Sequence, residues 1–144
     1  MTLLDHAYVP PATVNPTHSV HDAVQCTLPA QCDAVAVVEN NSVVGVLTSR
    51  DVLLKVLLNG LDAKQIAVRD VMSHPVIMFD PKSEPEAALK IMLENNIRHL
   101  LLSEDGTTPL GMLSLRKLLQ FIVEDQKEDL SSIEAFLLAD SIGG

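Results

Sequence analysis

Two stretches of the sequence pass from a short apolar run directly into a helical spacing of apolar residues. The first run opens at Gly45 and ends at Thr48, and the second opens at Gly111 and ends at Ser114. Beyond each hydroxyl residue the apolar positions recur every three or four residues, which is the spacing of one helix face. Each stretch is therefore predicted to be a strand that leads straight into a helix.

These stretches are part of an internal repeat. An offset of 64 residues pairs Pro11 with Pro75 and Ser19 with Ser83. The two glycines are 66 residues apart, so the second copy carries two extra residues, which fall in the turn at 103–109. A duplicated fold tolerates an insertion that is confined to a turn. Each copy is predicted to contain an extended lead-in, a helix, two strands joined by a turn, and a second helix.

The first copy begins with an extended lead-in, because Pro10 and Pro11 exclude a helix there. Ser19 is predicted to cap the next helix, and Asn40 and Asn41 are predicted to form the turn between the strands. The first strand is continuously apolar, which indicates burial on both faces. In order, a helix, two strands and a second helix are predicted over residues 20–27, 34–38, 43–47 and 50–59.

The second copy follows the same plan after a linker over residues 61–67. Ser83 is predicted to be the N-cap of its first helix, with Pro85 in the first turn. Strands are predicted over residues 97–103 and 110–113.

The last predicted helix runs past the repeat and carries a heptad-like stripe. The residues of the stripe, spaced by alternating fours and threes, are Leu119, Val123, Gln126, Leu130, Ile133 and Leu137. A break near Asp129 is equally plausible, because Ser131 and Glu134 have the spacing of a capping box. Such a stripe packs against its own domain, forms a dimer seam, or does both.

Composition limits the class of protein. The 144 residues are 47% hydrophobic, which is enough for one compact core. No apolar run reaches the roughly 18 residues of a membrane span, and the N-terminal residues lack a signal-peptide pattern, so we expect a cytoplasmic protein with no membrane partner. The net charge of −9 argues against non-specific nucleic-acid binding. Cys26 and Cys32 match neither a redox motif nor a zinc site, and buried or half-buried thiols are expected.

Three motifs together resemble a known family. They are the segment 68–75, which reads VRDVMSHP, the segment 97–102, which reads IRHLLL, and the two Gly-x-x-[Thr/Ser] junctions. In this order, the sequence over residues 5–123 resembles a tandem pair of cystathionine-β-synthase (CBS) domains, known as a Bateman module. The resemblance implies a stand-alone CBS-domain protein of α/β class (α+β type). Its two β-α-β-β-α repeats would pack as a pseudo-two-fold pair, followed by a C-terminal helix.

The resemblance also implies domain limits and an assembly. The first repeat with its lead-in is expected over residues 1–60, the second repeat over 61–123, and a C-terminal helical extension over 124–144. Modules of this family usually pair into flat dimers, so a homodimer is implied.

A ligand site is implied as well. In the family, Gly-x-x-[Thr/Ser]-x-x-Asp holds the ribose of an adenosine-containing molecule in the cleft between the repeats. Carried over to this sequence, Asp51 would accept hydrogen bonds from the 2′- and 3′-hydroxyls, and Thr48 would bond nearby. From the residues alone, Thr48 and Asp51 also match a capping box that opens an ordinary helix. The second copy keeps the hydroxyl as Ser114 but has Lys117 in place of the acid. One competent site is therefore expected, with a second that is degenerate or assists phosphate binding.

Basic and apolar residues complete the predicted site. Arg98 and His99 lie where related modules place groups that face phosphates, and Arg50 is a further candidate cation. The candidates for contacts with adenine lie on the lead-ins: Thr13, Val14 and Ile77. Ordinary core packing explains these three residues equally well.

Two functions of different classes fit the sequence. The first is a regulatory module that binds AMP, ADP, ATP or S-adenosylmethionine and acts on an unidentified protein by shifting between two packings of its repeats. The second is a non-binding interaction module that acts through dimerisation and its C-terminal helix, which the replacement at Lys117 favours. An enzyme is not expected, because no recognisable nucleophile or acid–base motif is present. His18 and His21 lack a third ligand nearby in sequence, so no metal site is predicted.

Overall fold

The computed structural model of the protein describes residues 2–125 together with residues 135 and 138. Two halves with the same order of elements form this part of the chain. The first half contains β1 (Thr13–Val14), α1 (Val20–Ala30), β2 (Ala34–Glu39), β3 (Ser42–Thr48) and α2 (Ser49–Asp51), which continues as a π-helix over Val52–Leu57. The second half contains β4 (Met78–Phe79), α3 (Pro85–Glu94), β5 (His99–Leu102), β6 (Gly111–Ser114) and α4, which is helical over residues 115–125. Two short 3-10 helices lie ahead of the halves, at Leu3–His6 and Val68–Asp70.

Each half forms a three-stranded sheet, in the orders β1-β2-β3 and β4-β5-β6. In both sheets the first strand is parallel to the second, and the second is antiparallel to the third. The predicted mixed α/β fold of two repeats is confirmed. Among the described residues, no helix combines the length and the apolar character needed to cross a membrane.

The lead-in of each half crosses over to the other half. Ser73 N donates to Val46 O at 2.8 Å and Val46 N donates to Ser73 O at 3.0 Å, which pairs the second lead-in with β3. Tyr8 N donates to Met112 O at 2.9 Å and Met112 N donates to Tyr8 O at 3.0 Å, which pairs the first lead-in with β6. The halves are therefore held together by a reciprocal exchange of their lead-ins.

This crossing explains the glycine that opens each junction. A Cβ at Gly45 would contact the side chain of Met72 and would lie 3.2 Å from the carbonyl oxygen of Ser73. A Cβ at Gly111 would lie 3.3 Å from the carbonyl oxygen of Tyr8. Glycine suits both places because a side chain would crowd the crossing backbone.

The apolar residues form three clusters, one in each half and one between the sheets. Val35 and Val37 on β2 belong to the first core, and Leu100 and Leu102 on β5 belong to the second. The cluster between the sheets consists of Cys32, Ala34, Ala36, Leu101 and Met112. Alternate residues of β2 thus face different clusters, and residues 34–37 are at most 1% exposed. The prediction that this strand is buried on both faces is confirmed.

Several local signals also act as predicted. The side chain of Ser19 accepts a hydrogen bond from Asp22 N at 3.1 Å and caps α1. Asn40 and Asn41 have positive φ angles of 52° and 63° in the turn between β2 and β3, a conformation that asparagine tolerates better than most residues.

The prediction that Ser83 caps α3 is wrong. Glu84 occupies the N-cap position without a side-chain hydrogen bond, and Pro85 occupies the first helical position. Proline suits that position because the first helical N–H has no partner within the helix. The predicted stripe beyond residue 125, with its possible break near Asp129, lies outside the described residues.

Candidate functional site

A cleft of about 700 Å³ lies beside the junction between β3 and α2. Three segments line it: this junction, the lead-in of the second half, and the residues that begin β5. The predicted site residues that it brings together are Thr48, Arg50, Asp51, Ile77, Arg98 and His99. The crossing of the second lead-in therefore places residues of both repeats around one cavity.

Thr48 and Asp51 form a capping box at the start of α2. The carboxylate oxygen Oδ2 of Asp51 accepts from Thr48 N at 3.0 Å and lies 3.2 Å from Thr48 Oγ1. In return, Thr48 Oγ1 accepts from Asp51 N at 3.3 Å. The motif therefore forms the capping box that its spacing predicts. It does not exclude ligand binding, because both side chains also line the cleft.

The other carboxylate oxygen of Asp51 contacts two residues that were not predicted to belong to the site. Ser73 Oγ donates to Asp51 Oδ1 at 2.8 Å, and Lys55 Nζ lies 3.0 Å from the same oxygen. Lys55 Nζ also donates to the carbonyl oxygen of Val71 at 3.0 Å. Asp51 is only 6% exposed, and these partners satisfy the charge that its burial would otherwise leave unpaired.

The two missed residues differ in how far the sequence could reveal them. Lys55 follows Asp51 by four residues on one helix, which is the spacing of a helical ion pair. Ser73 is 22 residues from Asp51, and only the crossing of the lead-in brings it to the carboxylate.

The cleft is cationic although the protein is acidic. Of the described residues that line it, Arg50, Lys55 and Arg98 are cations, and Asp51 is the one acid. Burial lowers the pKa of His99 below its ordinary value of 6.5, an effect that Asp33 opposes and Arg98 reinforces. Burial thus favours the neutral form of His99, and the positive charge of the cleft comes from the arginines and Lys55.

Two predicted contact residues do not line this cleft. Val14 is 5% exposed and packs in the first core. Thr13 pairs with Ala36 in the first sheet. Because the lead-ins cross, the segment that borders the Asp51 cleft is the second lead-in, with Ile77, and not the first.

A second cleft of about 870 Å³ lies beside the junction between β6 and α4. Ser114 lines it, and the oxygen Oγ of Ser114 accepts from Lys117 N at 3.1 Å, as Thr48 does from Asp51 N. The ammonium group of Lys117 lies 3.9 Å from the centre of the Tyr8 ring. This junction therefore keeps the helix cap but holds a cation–aromatic pair where the first has a carboxylate.

The two clefts share part of their lining. Arg98 and His99 border both cavities. Cys32 and Asp33 border the second, and burial raises the pKa of the Cys32 thiol. The described residues contain no cluster of three or more His, Cys, Asp or Glu side chains that could hold a metal ion.

Comparisons with curated proteins found relatives along most of the chain. It is 29% identical over 103 residues to an uncharacterized protein of Methanopyrus kandleri, covering 69% of this chain and 53% of the relative. It is 28% identical over 124 residues to the mitochondrial CBS domain-containing protein CBSX3 of Arabidopsis thaliana, covering 83% and 60%. It is 30% identical over 111 residues to the CBS domain-containing protein YhcV of Bacillus subtilis, covering 74% and 79%. The chain thus spans little more than half the length of the first two relatives.

Solved structures share the fold. A protein with CBS domains from Burkholderia ambifaria superposes with a TM-score of 0.78 at 24% identity, covering 88% of this chain and 96% of that one. A hexameric CBS-CP12 protein from bloom-forming cyanobacteria gives 0.74 at 22% identity, covering 94% and 87%. CBSX2 in complex with AMP gives 0.69 at 22% identity, covering 87% and 98%.

A family model accounts for both repeats. The model of the CBS domain matches residues 7–58 and again residues 68–124. These two matches contain the two junctions and the two lead-ins that cross between the halves. The chain therefore belongs to the CBS domain family and carries two CBS domains in tandem.

Proposed function

We propose that this protein is a regulatory sensor that binds an adenosine-containing nucleotide in the cleft beside Asp51. CBS domains are regulatory ligand-binding modules. The proposal that the ligand is a nucleotide rests on the position of the Asp51 carboxylate. This carboxylate lies with the Thr48 hydroxyl on the wall of a cleft between the repeats. A carboxylate is an acceptor for both hydroxyls of a ribose, and a buried one discriminates strongly in favour of a ligand that can donate to it.

The lining of the cleft suits the rest of such a ligand. Val46, Val76, Ile77 and Leu101 provide apolar surface for a base. Arg50 and Arg98 provide charge for phosphate groups. This cationic lining favours AMP, ADP or ATP over S-adenosylmethionine, whose sulfonium is itself positive.

AMP is the first ligand to test, because CBSX2, which shares this fold, was solved in complex with AMP. A thermal-shift panel of AMP, ADP, ATP and S-adenosylmethionine on the wild-type protein identifies the ligand. A ligand at a hundred times its Kd stabilises the folded state by about 2.7 kcal/mol, which raises the melting temperature measurably. The absence of a shift with all four, in nucleotide-free folded protein, would contradict the proposal.

The exposed leucines favour a second proposal, that the protein assembles with another copy of itself. Leu28 on α1 is 76% exposed, and Leu57 and Leu58 at the end of the π-helix are 68% and 75% exposed. Val24 on α1 and Leu53 on the π-helix are 41% and 54% exposed and line one pocket, so these two helices form an exposed apolar surface. Such a surface is typical of an interface. We propose a homodimer through this face, as modules of this family usually form. The same face would also serve a protein that acts purely as an interaction module.

Sedimentation velocity tests the assembly. Wild-type protein is expected to sediment as a dimer and a Leu28→Lys/Leu57→Lys variant as a monomer. A wild-type monomer at micromolar concentration, or a hexamer such as the CBS-CP12 protein forms, would contradict the homodimer.

A further inference from the structure

Each oxygen of the Asp51 carboxylate has two partners within the protein. A carboxylate offers about four lone-pair positions, two on each oxygen. Thr48 N and Thr48 Oγ1 lie against Oδ2 at 3.0 and 3.2 Å, and Ser73 Oγ and Lys55 Nζ lie against Oδ1 at 2.8 and 3.0 Å. A ribose hydroxyl can therefore donate to Asp51 only if one of these four partners leaves.

The partners of Oδ1 can leave without uncovering the end of α2. The bond from Thr48 N is part of the cap of α2, and breaking it would uncover a helix end. The hydroxyl of Ser73, in contrast, needs only to rotate about one bond. Lys55 has a flexible stem, and its side chain is 44% exposed, so water can take over its solvation.

Both of these partners belong to the contact between the repeats. Ser73 lies on the second lead-in and pairs with Val46 through the backbone. Lys55 lies in the first repeat, but its ammonium also donates to the carbonyl of Val71, two residues before Ser73. The hydrogen bonds on Oδ1 thus connect the first repeat to the segment 71–73.

We infer that Ser73 and Lys55 compete with a ribose for Oδ1 of Asp51, and that a ribose binds by displacing them from this oxygen. This inference rests on the proposed nucleotide site. Displacement exchanges a bond between the repeats for a bond to the ligand. Ligand binding would therefore weaken the attachment of the segment 71–73 to the first repeat. A ligand shifts a protein between two conformations only if it interacts differently with each of them, and this exchange of bonds would supply the difference.

Calorimetric titration with adenosine tests the inference, since adenosine presents the ribose hydroxyls without a phosphate. Ser73→Ala removes one competitor and is expected to lower the Kd for adenosine about tenfold, equivalent to about 1.4 kcal/mol, which is within the contribution of one hydrogen bond to a charged group. Lys55→Met keeps an unbranched stem without the ammonium group and is expected to lower the Kd several-fold in the same direction. 2′,3′-Dideoxyadenosine lacks the hydroxyls, so its Kd should be the same in the wild type and in both variants.

The matched control is Ser83→Ala, which removes a hydroxyl outside the cleft and should leave the Kd for adenosine unchanged. An unchanged or higher Kd for adenosine in folded Ser73→Ala and Lys55→Met would overturn the displacement while leaving the nucleotide site standing. Failure of the wild-type protein to bind adenosine, AMP, ADP or ATP would instead overturn the nucleotide site and the displacement with it.

Discussion

The ammonium group of Lys117 lies over the ring of Tyr8, 3.9 Å from its centre. Tyr8 belongs to the first lead-in, and Lys117 occupies the position in the second repeat that Asp51 occupies in the first. The pair therefore places a cation at the junction where a ribose would need an acceptor. Lysine can only donate hydrogen bonds, so the proposed nucleoside site is confined to the first cleft.

Lys117→Asp is expected to create a second nucleotide site. The new carboxylate would follow Ser114 at the spacing of Thr48 and Asp51, and the Ser114 hydroxyl already accepts from the backbone of residue 117. Titration with AMP should then give two sites per chain in place of one. The control is Lys117→Met, which removes the cation without adding an acceptor and should keep one site. A single site in folded Lys117→Asp protein would show that more than this residue disables the second junction.

Gly45→Ala is expected to lower the free energy of unfolding by about 1 to 3 kcal/mol, the usual cost of forcing an extra group into a packed site. Met72 can move its side chain away, but the carbonyl of Ser73 is fixed by its hydrogen bond to Val46 N. Urea unfolding provides the measurement.

Gly60→Ala is the matched comparison for this test. Gly60 has a φ of +67° but has no atom within 4 Å of the added Cβ, so only a backbone cost of about 1 kcal/mol is expected. If Gly45→Ala cost no more than Gly60→Ala, the close crossing of the lead-in would not be the reason for Gly45.

The pKa of His99 predicts a dependence of stability on pH. Because burial lowers the pKa of His99 in the folded protein below its ordinary 6.5, the unfolded chain binds more protons between these two values. The free energy of unfolding should therefore decrease as the pH falls from 6.5 to the lowered pKa, with a slope of up to about 1.4 kcal/mol per pH unit from this one group. Urea denaturation at a series of pH values measures this, and His99→Gln should reduce the slope. Identical slopes in the two proteins would contradict the burial of an uncharged imidazole.

The two cysteines are expected to react at different rates with a thiol reagent. Cys32 is 4% exposed and its pKa is raised by burial, so little thiolate is accessible there at pH 7.5, whereas Cys26 is only partly buried. In a time course with Ellman's reagent, the fast phase should disappear in Cys26→Ser and persist in Cys32→Ala. Equal rates for both thiols would show that the cluster between the sheets opens readily.

Much of the fold follows from local patterns in the sequence. The repeat predicts the order of elements in both halves, and the run of small apolar residues at 34–37 predicts a strand that is buried on both faces. The assignment of Ser83 as a cap failed because a serine two residues before a proline satisfies the pattern, while Pro85 itself sets the first helical position.

The crossing of the lead-ins has no local signal. The pairing of Tyr8 with Met112 joins segments from opposite ends of the described chain, and it arises from packing of the two sheets rather than from the propensity of either segment. The sequence therefore predicts the junction that contains Thr48 and Asp51. It does not predict that Ser73 contacts Asp51. For the same reason Thr13 and Val14 on the first lead-in do not line the cleft beside Asp51, which the second lead-in borders.

The measurement that most directly tests the proposed sensor is calorimetric titration of AMP into wild-type protein, Asp51→Ala and Asp70→Ala, each shown to be folded by circular dichroism. Asp70 is exposed and does not line the cleft, so it controls for the loss of one negative charge. We expect one AMP per chain in the wild type and in Asp70→Ala, and no measurable binding in Asp51→Ala, because the acceptor for the ribose is gone. AMP binding of equal affinity in folded Asp51→Ala would show that Asp51 serves only as the cap of α2 and would contradict the proposed site.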